Sequence, residues 1–242
     1  MAILLKHDAV FLHVPKTGGT WVTAVLADLG LIRCRIVTKH ADMARLLDCA
    51  RHHPGRWLEA AAKAGPAWQS QARRAFKFCF VRHPLSWYES YWAFMSQRGW
   101  NAWGVNRRGR VRWHPNAALD GLGAADFNRF VRNVAEREPG FVGRMYASYA
   151  TDAIDFVGRQ ERLAEDLIEV LARLGAQADE RRIRERGPVN ARDRDVGRPR
   201  WDEALRREVE EIEAAAITRF GYDSSDSPPY ERSRLDAGDA TT

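Results

Sequence analysis

Cysteine is scarce in this 242-residue chain: there are three, Cys34, Cys49 and Cys79. Their odd number, with no CxxC or metal-ligand spacing, excludes a disulfide framework and a cysteine metal centre, and predicts reduced thiols in a reducing compartment. Apolar runs long enough to span a bilayer are also missing. The opening stretch MAILLKHDAVFLHVP has no basic n-region, long apolar h-region or small-residue cleavage site. It reads as the first strand of the fold, and the expected state is soluble and cytoplasmic. Neither a heptad nor a Gly-X-Y repeat is present, which excludes a coiled coil and a collagen-like chain. With 45% hydrophobic and 29% charged residues, wholesale disorder is excluded too. No charge sign dominates: 38 Lys+Arg against 32 Asp+Glu leaves a net +6. That small excess suits anionic ligands without selecting one.

What is present alternates between two periods. Ala9–Val14, Arg33–Thr38, Ala75–Val81 and Ala153–Val157 are short runs rich in Val, Ile, Phe and Cys, as expected of strands covered on both faces. Helical spacing follows the first at Trp21, Val22, Val25, Leu26 and Leu29, with Gly30 as its stop. It returns at Leu163, Leu167, Val170, Leu171 and Leu174 before Gly175, and from Asp202 to Phe220 before Gly221. Strands alternating with helices predict an α/β sandwich around a mainly parallel sheet, in one domain over residues 1–223. Residues 96–123, rich in Arg, Gly, Trp and Asn, are too long and irregular for an ordinary connection. The polar tail 224–242, with Pro228 and Pro229, is expected to be disordered.

Two stretches carry chemistry. In HVPKTGGTWV, a buried strand runs into Pro15-Lys16-Thr17-Gly18-Gly19-Thr20 and straight on into an amphipathic helix. Two glycines let backbone N–H groups converge, and the helix start, Lys16 and the Thr17 and Thr20 hydroxyls add positive charge and donors: a cradle for an oxyanion. It is not a Walker A loop, in which the lysine follows the glycines. In FKFCFVRHPLSWYESYW, a second strand ends at Arg82, and Pro84 opens a helix with Ser86 and Ser90 on one face. Ligands of open α/β sheets gather at the carboxyl ends of the strands, so Arg82 and Ser90 are placed to meet a second phosphate near Lys16.

PKTGGT after a strand, RHPLSWYES, and DFVGRQERL at 155–163 occur in an order that resembles the sulfotransferases across residues 9–220, most closely their Golgi-type and bacterial carbohydrate branch. The resemblance implies a three-layer, P-loop-NTPase-like sandwich and the co-substrate 3′-phosphoadenosine 5′-phosphosulfate, with no metal. On that reading Lys16, Thr17, Gly18, Gly19, Thr20 and Trp21 hold the 5′-phosphosulfate, and Arg82 and Ser90 the 3′-phosphate. Gly187–Arg192, including Asn190, resembles the family's late nucleotide-closing loop, without the RKGxxG of the cytosolic branch. Gln160 stands before Glu161 where many members carry a tyrosine.

Transfer to a hydroxyl, or to an amine, needs a proton acceptor. His40, after the second strand in VTKHADMARLL, is the first candidate, because imidazole is largely neutral near pH 7 and the branch often has a histidine in such a context. Asp42, His114 and His13 are the alternatives. His52-His53 has no carboxylate or cysteine at a metal-ligand offset, so no metal site is expected. The 96–123 segment is read as an acceptor-binding lid, with Arg98, Arg107, Arg108, Arg110 and Arg112 for a glycan or another small-molecule acceptor. Nucleic acid is not an expected partner, since no RRM, KH or helix-turn-helix pattern accompanies those arginines, nor is a membrane; the sequence leaves oligomeric state open. The rival functions are a nucleoside or small-molecule kinase with an atypical phosphate loop, and a nucleotide-binding module without catalysis.

Overall fold

The computed structural model describes residues 2–105, 109–187 and 199–223. The strands are β1 (Ala2–Leu5), β2 (Ala9–Leu12), β3 (Ile32–Ile36), β4 (Phe76–Val81) and β5 (Phe156–Arg159). The helices are α1 (Gly19–Asp28), α2 (Met43–Leu47), α3 (Cys49–His52), α4 (Pro54–Ala64), α5 (Trp68–Arg74), α6 (Pro84–Ser96), α7 (Phe127–Arg137), α8 (Phe141–Tyr149), α9 (Leu163–Arg173), α10 (Glu180–Arg184), α11 (Glu203–Ile212) and α12 (Ala214–Arg219).

The strands form one sheet in the order β3-β1-β2-β4-β5. β2, β4 and β5 pair in parallel, while β1 is antiparallel to both β2 and β3. β3 therefore points the same way as β2, and the carboxyl ends of β2, β3, β4 and β5 share one edge. Alternation along each strand sends Leu4, Val10, Leu12, Cys79 and Val81 into one core, with residues of α2 to α8 and α11. Ile3, Leu5, Phe11, Phe78 and Phe80 face the other, with α1, α9 and α10. Both faces of the sheet are thus covered, as runs apolar at every position require.

Three sequence expectations need correction. The single opening strand is two strands in a hairpin, turned at His7 and Asp8, both at positive φ (61° and 47°). The extra strand, β1, lies between β3 and β2, so half of the strand pairings are antiparallel. The run Ala153–Val157 begins too early: β5 starts at Phe156 and continues to Arg159. The helix expected over Asp202–Phe220 is divided, because Glu213 turns its side chain inward between α11 and α12. Its carboxylate accepts hydrogen bonds from Tyr88 Oη and from the Val142 and Gly143 amides at the start of α8. The tail 224–242 lies outside the described residues, as do Asn190, Arg107 and Arg108. Among the described residues no helix is long and apolar enough to cross a membrane.

Candidate active site

Three loops meet at the carboxyl edge of the sheet. The first, His13–Gly18, leads from β2 into α1. Lys16 lies in the left-handed region (φ 65°), as does Gly18 (φ 81°), so the chain reverses curvature twice before the helix starts. Non-glycine residues adopt such a φ only where surroundings hold them there. One restraint is Trp87 of α6, whose indole N–H donates to the Pro15 carbonyl at 2.9 Å. Another is Thr17, buried, whose hydroxyl donates to the Val14 carbonyl at 3.1 Å. Gly19 is held to its size by a neighbour: a Cβ there would sit 2.1 Å from His13 Cδ2. At Gly18 a Cβ would meet Leu163 of α9 at 2.6 Å, with Gln160 close behind.

Thr20 is exposed on the first turn of α1. The first helical bond to the Gly18 carbonyl is made by the Trp21 N–H, so the Gly19 and Thr20 amides belong to the donors a helix start leaves for a ligand. Trp21 itself is buried in the α1–α9 core. The donor set that faces outward is cationic and donor-rich, which fits a phosphate or sulfate group.

The second loop follows β4. Register aligns Leu12 with Cys79, so the loops after β2 and β4, carrying Lys16 and Arg82, leave neighbouring strands at the same edge. The Arg82 backbone is clamped at both ends by Tyr146 of α8, whose hydroxyl accepts from the Arg82 N–H (3.2 Å) and donates to its carbonyl (2.9 Å). Glu161, after β5, accepts from the His83 N–H and from Tyr222 Oη, both at 2.9 Å. This carboxylate therefore joins the β4 and β5 loops and is a structural tie. Ser90, on α6 one turn beyond Ser86, is partly exposed.

The third loop follows β3 and carries His40, also at positive φ (65°), as is Val37 (57°). β1 separates β3 from β2, but its amino end lies at this edge, and the two loops meet across it. His40 Nδ1 bonds the His13 carbonyl at 2.8 Å; a carbonyl only accepts, so Nδ1 carries the proton and Nε2 the lone pair. Tyr149 of α8 donates its hydroxyl to the His40 carbonyl at 2.5 Å. The His13 and His40 rings meet edge to face at 4.7 Å, and His40 meets His114 at 5.2 Å. Burial, then the charge on neighbouring His13, drives the His40 pKa far below the usual imidazole value, and burial lowers that of His13 as well. Desolvation therefore keeps this ring neutral. His114 is pushed down to about 3 by burial, then by the charges of Arg112 and Lys39. Asp42 serves as the N-cap of α2, accepting from the Arg45 N–H, and pairs with the Arg45 guanidinium.

The described part of 96–123 packs down onto this edge. Asp120 accepts from the Trp103 and Gly104 amides, both at 2.7 Å. Trp103 stacks between Phe94 (6.2 Å) and His114 (4.2 Å) and donates its indole N–H to Tyr91 Oη. Phe94 in turn lies under Lys16, with Nζ 4.2 Å from the ring centroid. Lys16, His40 and His114 are therefore linked by one aromatic array. Phe94 was not singled out in the sequence, although Ser86, Ser90 and Phe94 repeat at i, i+4. Tyr149 gave no signal, since its partner is a backbone carbonyl 109 residues away in sequence.

Compared with models of known protein families, residues 2–223 match that of the sulfotransferase family. The chain belongs to that family. The match runs from β1 to the residue after Tyr222, so all three loops fall within it, and sulfuryl transfer is the family's chemistry. Comparison with curated proteins and with solved structures finds no match. In this sulfotransferase no cluster of His, Cys, Asp or Glu among the described residues is arranged to hold a metal ion.

Proposed function

We propose that this sulfotransferase, with a P-loop-NTPase-like arrangement of its sheet and phosphate loop, transfers a sulfuryl group from 3′-phosphoadenosine 5′-phosphosulfate to a hydroxyl of a carbohydrate acceptor, as in the Golgi-type and bacterial carbohydrate branch. One observation carries the reading: the constrained Lys16 loop, Arg82 and neutral His40 converge at one sheet edge. The co-substrate supplies the activated sulfur–oxygen bond. Lys16, the Gly19 and Thr20 amides and the Thr20 hydroxyl bind the phosphosulfate end, and Lys16 opposes the negative charge that grows on the leaving oxygen. Arg82 and Ser90 bind the 3′-phosphate, with Asn190 on the late loop as a further contact. His40 Nε2 takes the acceptor's proton as the new bond forms, so a weakly basic imidazole suffices. Arg98, over the Phe94 ring, and Arg112, whose Nε donates to the Trp103 carbonyl, suit a sugar that carries acidic groups.

The test is release of adenosine 3′,5′-bisphosphate and a sulfated product from the donor, with acidic and neutral sugars as acceptors. Lys16→Ala should lower turnover by about 10²–10³, the usual loss for one preorganised oxyanion donor. Arg82→Ala should weaken the 3′-phosphorylated donor and leave adenosine 5′-phosphosulfate nearly unaffected; Tyr146 keeps the backbone turn in place. Equal losses for both nucleotides would reject the 3′-phosphate assignment.

A further inference from the structure

His40 and His114, adjacent rings of the histidine array, have opposite hydrogen-bonding faces. His40 uses Nδ1–H on the His13 carbonyl, which leaves Nε2 as an acceptor. His114 does the reverse: its Nδ1 accepts the Asn116 N–H at 3.1 Å, so in the neutral ring Nε2 carries the proton and is a donor. Main-chain groups set both tautomers. The rings lie 5.2 Å apart at 76°, and face-to-face stacking on Trp103 fixes the plane of His114. His114 can therefore not be the base, because its only lone pair is engaged.

We propose that His40 and His114 together form a reader for a neutral hydroxyl, which makes His114 an acceptor-binding residue and O-sulfation, rather than N-sulfation, the reaction of this site. The inference rests on the reading above, and it follows from electron counting. A hydroxyl oxygen has two lone pairs and one proton. One lone pair forms the new sulfur–oxygen bond, the second accepts from His114 Nε2–H, and the proton passes to His40 Nε2. The electrons of the breaking sulfur–oxygen bond leave with the phosphate oxygen beside Lys16. An amine nitrogen has one lone pair, and attack consumes it. His114 would then face a group with nothing to accept its proton, and a site's own unpaired donor is a strong basis for discrimination. A protonated amine is excluded more firmly, since it offers only donors and no nucleophile.

Two experiments test this. Nitrogen-15 spectra of histidine-labelled protein at pH 7, assigned with His40→Asn and His114→Asn, should show His40 protonated on Nδ1 alone and His114 on Nε2 alone. The same tautomer on both rings, or an imidazolium at His114, would overturn the proposal, and this readout needs no acceptor. Turnover is then compared for glucose and glucosamine, and for N-acetylglucosamine. Products should be O-sulfated throughout; faster N-sulfation of glucosamine overturns the proposal. His114→Phe, which keeps the stack on Trp103, should raise the acceptor KM about tenfold, the worth of one neutral hydrogen bond, with partial recovery in His114→Asn. Binding of adenosine 3′,5′-bisphosphate, measured by calorimetry, should be unchanged in His114→Phe. Failure of the wild-type protein to bind that nucleotide would instead reject the donor assignment, and the tautomers would still decide the proposal.

Discussion

Gly19 shows how one residue can hold two functions of this edge together. It begins the helix that offers its amides, and its missing side chain is the space that His13 fills. His13 in turn presents its carbonyl to His40. Gly19→Ala would place a methyl within 2.1 Å of the His13 ring, so the ring must leave its position. The expected cost is about 1–3 kcal/mol, as for other overpacked sites, or roughly 2–12 °C in melting temperature for a chain of this size. Nucleotide affinity should fall with it, because the loop and the ring cannot both keep their places. A variant that melts like wild type would show that the His13 packing is loose.

At the scale of elements, α6 is the scaffold of the site. Its Trp87 holds the Lys16 loop at the Pro15 carbonyl, its Phe94 lies under Lys16, and its Tyr91 receives the Trp103 indole N–H; Ser90 on the same helix is the residue proposed for the 3′-phosphate. Trp87 stacks on Tyr91 at 4.9 Å, so the loop and the 96–123 segment are joined through two adjacent rings of one helix. Trp87→Phe keeps the stack and removes the bond to the Pro15 carbonyl. That leaves a buried acceptor unpaired, at about 1–3 kcal/mol, and frees the turn that holds Lys16 at positive φ. The urea midpoint should drop, and turnover should fall further than the stability loss explains. Glu213 is the contrasting case: Glu213→Ala strands three buried donors from two helices. It should destabilise by roughly 2–5 kcal/mol with turnover unchanged below the melting range.

For the molecule as a whole, three buried histidines weaken the fold in acid. His13, His40 and His114 all have pKa values below the value near 6.5 of an unfolded chain. From about pH 6.5 downward the unfolded state therefore binds protons that the native state refuses. The stability these groups contribute is complete above that pH and is lost as the pH falls, down to about 3 for His114. Each histidine costs about 1.4 kcal/mol per pH unit within its window, and three together approach about 4. Urea midpoints measured from pH 7.5 to 5 should fall below about 6.5, and the fall should be shallower in His114→Asn. A flat profile would mean that the array is open to water.

The sequence by itself determined the two-sided α/β sandwich, because strand runs apolar at every position must be covered on both faces. It also marked the Lys16 loop, where strand, lysine, paired glycines and helix are contiguous, although Trp87 and Leu163 from distant helices hold its conformation. Helix stops at Gly30 and Gly175 were legible for the same reason. What joins distant segments was not. The extra antiparallel strand was hidden because only Lys6, His7 and Asp8 interrupt the opening apolar run, and the break at Glu213 depends on amides 70 residues away. His40 could be nominated from its place after a strand, but its tautomer, its backbone conformation and its low basicity come from His13, Tyr149 and burial. His114, named as an alternative base, has its Nδ1 lone pair engaged by the Asn116 N–H. Hydrogen-bond direction and desolvation are properties of the packed site, and only the tertiary structure decides them.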